Sequence, residues 1–183
     1  THHPSSAASD VYKRQDGVLV YGPPAMQSAW WQRFQEAGAV PVGYEALNIV
    51  RVEAGIPWHG IDMDDTTLLP EVQLPDAVST TKGCYIGQEV VERVAARGRV
   101  QRRRVGLRCV GETLPAPGTP VQHDTEEAGW ITSAVQSPAA SAVIAMAYVK
   151  RAYWEIGTVL HVGASIATVI SLPINDGEAT ATS

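Results

Sequence analysis

The chain has 183 residues, a formal net charge of −5 and 45% hydrophobic residues, enough to bury one generous core or two small ones. No apolar run approaches the roughly 20 residues of a membrane span, and no basic-then-apolar secretory signal opens the chain. The two cysteines form no disulfide framework, which indicates a reducing compartment, and they are too few to hold an iron–sulfur cluster by themselves.

The first 15 residues are polar and without period, and we exclude them from the fold as a non-native scar or a disordered segment. Residues 17–21 predict a strand, and the apolar spacing over 25–37 predicts a helix. Trp30 and Trp31 of that helix are expected in the core, because aromatic residues at helical spacing are usually buried.

A second helix is predicted over 44–54, and the long Asp- and Pro-rich stretch 57–80 predicts a loop without regular structure. Three clustered aspartates of this stretch lack the spacing of a calcium loop and are expected to be exposed turn acids. His59 belongs to no metal motif and is taken as structural, so no metal site is predicted. The three aspartates are Asp62, Asp64 and Asp65.

One octapeptide, K-G-C-Y-I-G-Q-E over residues 82–89, places more residues with reactive side chains or special backbone conformations next to one another than any other stretch. Gly83 and Gly87 predict a tight turn, and the apolar spacing after it predicts a helix. A thiol at the start of a helix and close to a lysine lies where the thiolate is favoured. Cys84 is therefore either a reactive thiol tuned by Lys82 or a small buried hydrophobe, and its spacing leaves both open.

Positive charge is concentrated just after the octapeptide. Seven of the 14 lysine and arginine residues lie between positions 93 and 108, and no acidic residue lies among them. Such a patch attracts anions to an otherwise acidic protein. RNA binding is the least favoured interpretation, because no aromatic side chain alternates with the arginines. The seven are Arg93, Arg97, Arg99, Arg102, Arg103, Arg104 and Arg108.

From residue 101 onward the chain is β in character. Residues 101–110 alternate as a strand with Cys109 on the apolar face, where it is a core thiol, and with several arginines on the opposite face. Short strands separated by turn residues indicate a small barrel or sandwich. These further strands are predicted over 129–133, 142–149, 159–162 and 166–172.

Three motifs together resemble one protein family. The segment R-V-E-A-G-I-P over 51–57, the octapeptide over 82–89 and G-R-V-Q-R-R-R-V-G-L over 98–107 are similar to the YgfZ-type folate-binding proteins, relatives of the glycine-cleavage T-protein. The arginine-rich strand is closer to true T-proteins. The octapeptide favours the YgfZ type, because T-proteins usually lack its cysteine.

The resemblance implies an α+β fold. A remnant of the family's folate-binding region occupies 16–98, with the octapeptide turn and its helix, and a small C-terminal antiparallel β-barrel of six or seven strands occupies 99–173. Residues 174–183 are expected to be a disordered tail. Because family members begin with a longer N-terminal portion, the chain is expected to start inside the fold, and its folding and folate binding in isolation stay open.

The resemblance also implies roles for single residues. In the T-protein the glutamate that matches Glu53 hydrogen-bonds the pterin ring of folate, and a carboxylate suits that task because it accepts two parallel N–H bonds. The alternative for Glu53 is pairing with Arg51 or solvation at the helix end. Cys84 is the implied essential thiol, with Lys82 tuning it, and the basic stretch faces the glutamate tail of folate. The implied cofactor-binding residues are Glu53, Tyr85, Gln88, Glu89, Arg93, Arg99 and Arg103.

The implied function is a tetrahydrofolate-binding factor that supports iron–sulfur cluster assembly or repair and, through it, cluster-dependent tRNA modification. Its expected partners are folate and iron–sulfur client or assembly proteins, and it is expected to be a monomer in the bacterial cytoplasm or the mitochondrial matrix. The alternative is an aminomethyltransferase of the T-protein type, or a related folate-dependent one-carbon transfer domain. That activity needs an acid near folate N5 and a lipoyl-bearing partner rather than Cys84.

Overall fold

The computed structural model of the chain describes residues 20–74, 83–84, 87–89 and 100–174. The chain divides into two compact units, Thr1–Asn48 and Ile49–Ser183. Within the described ranges, no helix is long and apolar enough to cross a membrane.

The first unit is helical where it is described. A short 3-10 helix over Pro24–Met26 leads into α1 (Gln27–Glu36), and α2 (Tyr44–Glu53) begins before the unit ends. Both predicted helices are therefore confirmed. The predicted strand over 17–21 is not, because Val20 and Tyr21 have no regular structure and 17–19 lie outside the described residues.

The two tryptophans of α1 differ in their surroundings. Trp30 is half-buried, and its ring lies so close to Gly22 that a Cβ there would overlap it. Trp31 is 56% exposed, so the prediction that it belongs to a core is wrong. None of the residues described in this unit is fully buried, and α1 has no enclosed core to receive a second ring.

The second unit is built around a closed barrel of six antiparallel strands. Their order around the barrel is β1-β4-β3-β2-β5-β6, and β1 pairs with β6 to close it. The predicted fold class, α+β with a small antiparallel barrel, is confirmed. The strands are β1 (Arg102–Cys109), β2 (Pro120–His123), β3 (Glu126–Ser137), β4 (Ala142–Lys150), β5 (Val159–Val162) and β6 (Ser165–Ile170).

β2 is a strand that the sequence does not predict. Its region reads as a turn because Pro115, Pro117, Gly118 and Pro120 punctuate it. Pro120 is the first residue of the strand, a position where the missing N–H is tolerated. The buried Val121 then pairs with Gly129 of β3 and Val162 of β5.

The barrel interior is filled by alternate residues of its strands. Val105, Leu107 and Cys109 of β1 are buried in one apolar cluster, as their alternation predicts. Cys109 is 4% exposed, so its prediction as a core thiol is confirmed. The other strands contribute Val121, Ala128, Ile131, Val143, Ala145, Ala147, Val149, Leu160, Val162, Ala167 and Val169.

One outer face of the barrel is buried as well. A second apolar cluster covers it, in which Val52 of α2 is fully buried. A short helix, α3 (Leu69–Val72), contacts β1 on the outside of the barrel. The stretch 57–80, predicted as a loop without regular structure, therefore contains a helix in its described part. The outer cluster consists of Val52, Val135, Ala140, Ile144, Met146 and Ile174.

β3 carries a β-bulge at Thr132. Ile131 pairs with Ala147 and Ser133 pairs with Met146 of β4, which leaves Thr132 as the extra residue. A bulge re-aims side chains at the point where it interrupts the ladder. Here the Thr132 and Ser133 hydroxyls both donate to the same carboxylate, that of Asp62.

We expect Gly129→Ala to lower the free energy of unfolding by at least about 2 kcal/mol. A Cβ on Gly129 would lie 1.9 Å from the carbonyl oxygen of Tyr148 on the neighbouring strand, so the backbone must move. Gly43→Ala is the matched control, because a Cβ there meets no atom within 4 Å. Urea unfolding of both variants checks this, and equal stabilities would contradict the close approach of β3 and β4.

Burial raises the pKa of the Cys109 thiol from 9.0 to about 11. Between these pH values the folded chain keeps a proton that the unfolded chain loses, so the free energy of unfolding falls as the pH rises through this window. Two pKa units correspond to at most about 2.7 kcal/mol. We expect Cys109→Ala, whose cavity cost does not depend on pH, to lose less stability than the parent between pH 9 and pH 11. Parallel slopes in urea unfolding would refute this assignment.

Candidate functional site

Asp62 is a fully buried carboxylate between α2 and the barrel. Its Oδ1 accepts hydrogen bonds from Thr132 Oγ1 and Ser133 Oγ, each at 2.6 Å. Its Oδ2 accepts from Arg51 Nη1 at 2.6 Å and from the Trp58 backbone N–H at 3.0 Å. Four donors thus satisfy both oxygens, which is what a buried carboxylate requires.

The prediction that Asp62 is an exposed turn acid is wrong. Its neighbour Asp64 does fit that description: it is exposed, and Oδ1 accepts bonds from the Thr66 N–H and from the Thr66 and Thr67 hydroxyls. Those bonds lower the pKa of Asp64. Asp65 is also exposed, as predicted. Nothing in the local sequence separates Asp62 from the other two, because the two hydroxyls that bond to its Oδ1 lie 70 and 71 residues away in β3.

Three consecutive residues at the end of α2 meet three alternate residues of β3. Residue 51 bonds to residue 133, residues 52 and 135 share the outer apolar cluster, and residue 53 bonds to residue 137. Alternate residues of a strand point to one face and lie roughly 6.6 Å apart. The R-V-E run of the 51–57 motif therefore lies along the outward face of this strand.

Glu53 is half-buried and held by the barrel. Its Oε1 accepts bonds from Ser137 Oγ at 2.6 Å and from the Ala139 N–H at 3.3 Å. Arg51, which the sequence offers as a possible partner, pairs with Asp62 instead. Among the described residues no hydrogen bond reaches Oε2 of Glu53, so this oxygen is the one a ligand can use.

The arginines of β1 contact groups of their own chain. Arg102 Nε donates to Glu71 Oε1 at 3.1 Å, so Arg102 has a counter-charge from outside the stretch 93–108. Arg103 lies over the ring of Trp154, 4.4 Å from its centroid, and donates to its carbonyl oxygen at 3.1 Å. Arg103 is therefore engaged near the chain turn that follows β4, and its predicted role toward folate stays a prediction.

The octapeptide is described only in part. Cys84 is exposed, which excludes its alternative as a buried hydrophobe. Gly87 has a φ of +90°, a conformation that suits glycine in the predicted turn. Gln88 and Glu89 begin helical structure, as predicted. Four of the predicted site residues lie outside the described residues: Lys82, Tyr85, Arg93 and Arg99.

The described site residues are not joined to one another by hydrogen bonds or ion pairs. Glu53 bonds to the end of β3, Arg103 to Trp154, and no hydrogen bond or ion pair joins either of them to Cys84 in the described part of the chain. His59 is exposed and lies 3.4 Å from Asp65 through Nε2. The described residues contain no group of three or more side chains arranged to hold a metal ion.

Comparisons with known proteins bear on the barrel first. Residues 102–176 match the family model of the glycine cleavage T-protein C-terminal barrel domain. The crystal structure of the glycine cleavage system aminomethyltransferase T from Bartonella henselae superimposes with a TM-score of 0.74 at 26% identity, over 84% of this chain and 45% of that one. The barrel is that of the T-protein-like superfamily.

Curated relatives extend this similarity beyond the barrel. The aminomethyltransferase of Rippkaea orientalis is 34% identical over 160 residues, which is 87% of this chain and 43% of the relative. That of Streptomyces avermitilis is 35% identical over 163 residues, 85% of this chain and 44% of the relative. The chain thus spans somewhat less than half the length of these T-protein-like relatives.

The expectation of a YgfZ-type factor for iron–sulfur clusters and tRNA modification is wrong. The relatives along most of the chain are named aminomethyltransferases, and the solved neighbour is a glycine cleavage aminomethyltransferase T. The cysteine of one octapeptide carries little weight against a similarity over 160 residues. The T-protein-like alternative is the better supported interpretation.

We expect Asp62→Ala to lower the free energy of unfolding by about 3–5 kcal/mol, because it leaves the buried guanidinium of Arg51 without its carboxylate. The double variant Arg51→Met/Asp62→Leu should cost less than Asp62→Ala, since it removes both charges and fills the space. Asp65→Ala is the control, with a side chain 99% exposed and an expected change within about 0.5 kcal/mol. Equal losses for Asp62→Ala and Asp65→Ala in urea unfolding would contradict the central role of this ion pair.

Proposed function

We propose that this chain is part of an aminomethyltransferase of the T-protein type, or of a closely related folate-dependent one-carbon transfer protein. The observation that carries the proposal is the similarity to proteins named aminomethyltransferase along 87% of the chain, which includes the 51–57 motif as well as the barrel. The one-carbon acceptor is tetrahydrofolate, and the donor is a lipoyl-bearing partner, as the resemblance to the T-protein implies.

The geometry of Glu53 supports a contact with the pterin ring. The glutamate is half-buried, so a hydrogen bond to it is partly shielded from water, and it is oriented by two donors on Oε1. Oε2 stays available to accept one N–H of the ring. The two-point contact expected from the sequence requires Oε1 as well, and the 3.3 Å bond from Ala139 is the one that such a contact would replace.

The residues present therefore fit a pterin through one carboxylate oxygen, with Ser137 holding the carboxylate in place. Tetrahydrofolate supplies the nitrogen that takes up the one-carbon unit. Glu53 binds and orients the ring. It does so by accepting hydrogen bonds from N–H groups, and it does not transfer a proton. This activity does not require Cys84, as the resemblance to the T-protein implies.

We expect Glu53→Gln to weaken tetrahydrofolate binding by roughly ten- to a hundredfold, because a hydrogen bond to a charged acceptor contributes about 1.5–3 kcal/mol. Isothermal titration of tetrahydrofolate into the full chain measures this. The exposed Glu112 gives the matched control Glu112→Gln, which should bind as the parent does.

A second control separates the proposal from a thiol-dependent role. Cys84→Ser should leave the affinity for tetrahydrofolate within twofold of the parent. The proposal fails if the parent chain does not bind tetrahydrofolate, or if Glu53→Gln binds it as tightly as Glu112→Gln.

A further inference from the structure

Among the residues that the structure describes, the buried hydroxyl of Tyr148 has no hydrogen-bond partner. Tyr148 lies in β4, is 3% exposed, and stacks on Trp130 of β3 with ring centroids 5.5 Å apart. It is the only such side-chain atom among the described residues. Buried polar groups are nearly always paired, so an unpaired hydroxyl here indicates a missing partner.

Arg104, which lies beside it, is a buried charged side chain without a carboxylate partner among the described residues. It pairs across β1 and β4 with Tyr148 and is 6% exposed. In the part of the chain that the structure describes, it donates only to the Val72 carbonyl oxygen at 2.9 Å and to Met146 Sδ at 3.1 Å. Burial lowers the pKa of its guanidinium, which shows the cost of the buried charge. In the described ranges no carboxylate lies at ion-pair distance from Arg104.

The two carboxylates nearby already form ion pairs with other arginines. Asp62 pairs with Arg51 at 2.6 Å, and Glu71 pairs with Arg102 at 3.1 Å. Within the described residues, one positive charge on this face of the barrel therefore stays unbalanced, that of Arg104. A buried cation without a partner is unfavourable, so the face lacks one negative charge.

Arg102 forms the exposed side of the same cluster. Its guanidinium lies 4.9 Å from the centroid of Trp130 and 5.7 Å from that of Tyr148, and its side chain is 36% exposed. Only its Nε is engaged within the described residues, by Glu71. Its two Nη groups form a planar fork of the kind that binds a carboxylate through two hydrogen bonds.

We propose that Arg102, Arg104, Trp130 and Tyr148 form a binding site for the carboxylate of a small aromatic acid. Arg102 turns outward to take the carboxylate on its fork, the Tyr148 hydroxyl donates to it, and the charge of Arg104 balances it. The half-exposed Trp130 ring supplies a stacking surface for the aromatic part. One unbalanced charge favours a carboxylate over a phosphate group, which carries nearly two negative charges.

The carboxylate has two sources: the glutamyl end of a folate or a free aromatic carboxylic acid. The first source rests on the proposed function, whereas the site itself does not.

The probe is N-(4-aminobenzoyl)-L-glutamate, titrated into the full chain and followed by tryptophan fluorescence and calorimetry. We expect saturable binding that weakens at least tenfold in Tyr148→Phe and in Arg104→Met, and no binding of 4-aminobenzamide, which lacks the carboxylates. Arg108→Gln is the matched control on the same strand, since its Nη2 donates to the Ala140 carbonyl oxygen instead. It should bind the probe as the parent does.

Neither test variant is expected to unfold the chain. Tyr148→Phe removes an unpaired buried hydroxyl, so its melting temperature should stay equal or rise. Arg104→Met removes a buried charge but also the bond to the Val72 carbonyl oxygen, so its melting temperature should change little. A hydroxyl with a purely structural role would give the same melting temperature and leave probe binding unchanged. No saturable probe binding in the parent, or equal binding by the parent and both variants, overturns the proposal.

A competition with tetrahydrofolate assigns the source. Displacement of the probe by tetrahydrofolate, with Glu53→Gln weakening tetrahydrofolate but not the probe, supports the folate tail. Probe binding that depends on Tyr148 while tetrahydrofolate does not bind supports a free aromatic acid. That second result rejects the proposed function and leaves the carboxylate site standing.

Discussion

The buried carboxylate of Asp62 is the contact on which the outer layer of this protein depends. It joins the end of α2, the loop that follows and the bulge of β3 through four hydrogen bonds, two to each oxygen. A buried carboxylate is tolerated only when its acceptors are filled and a cation lies close. The loop can therefore close over the barrel only if the bulge presents the hydroxyls of Thr132 and Ser133 together.

This constraint also fixes the residue proposed to bind pterin. Arg51 is held by Ser133 and Asp62, and two residues later Glu53 is held by Ser137 of the same strand. Glu53 is the last residue of α2, and the side chains of Arg51 and Glu53 both reach β3. The position of Glu53 is thus set by the barrel, and a change in β3 is transmitted to it directly.

The sequence predicts what depends on local pattern. The inward alternation of Val105, Leu107 and Cys109 follows from strand geometry, and both helices follow from apolar spacing. The burial of Asp62 cannot be predicted from local pattern, because Asp62 lies among the same kind of residues as the exposed aspartates. It is buried because a bulge some 70 residues away supplies hydroxyl donors to its carboxylate. The sequence does not predict β2, because prolines usually indicate a turn and Pro120 stands at the first position of the strand, where proline is tolerated. The exposure of Trp31 is not predicted either, because burial of its ring needs a surface to pack against, and helical spacing does not supply one.

The outer face of the barrel differs between its two sides in how its polar groups are paired. Over the Val135 and Met146 side it is covered by apolar residues and by fully paired polar groups. Toward Tyr148 the same face keeps, among the described residues, a buried hydroxyl without a hydrogen-bond partner and a buried guanidinium without a carboxylate, although a phenylalanine would fill the first position at no polar cost. Proteins break the rules of polar burial mainly where a function requires it. The contrast within one face, rather than the arginine content of β1, is therefore the physical reason to look for a ligand there.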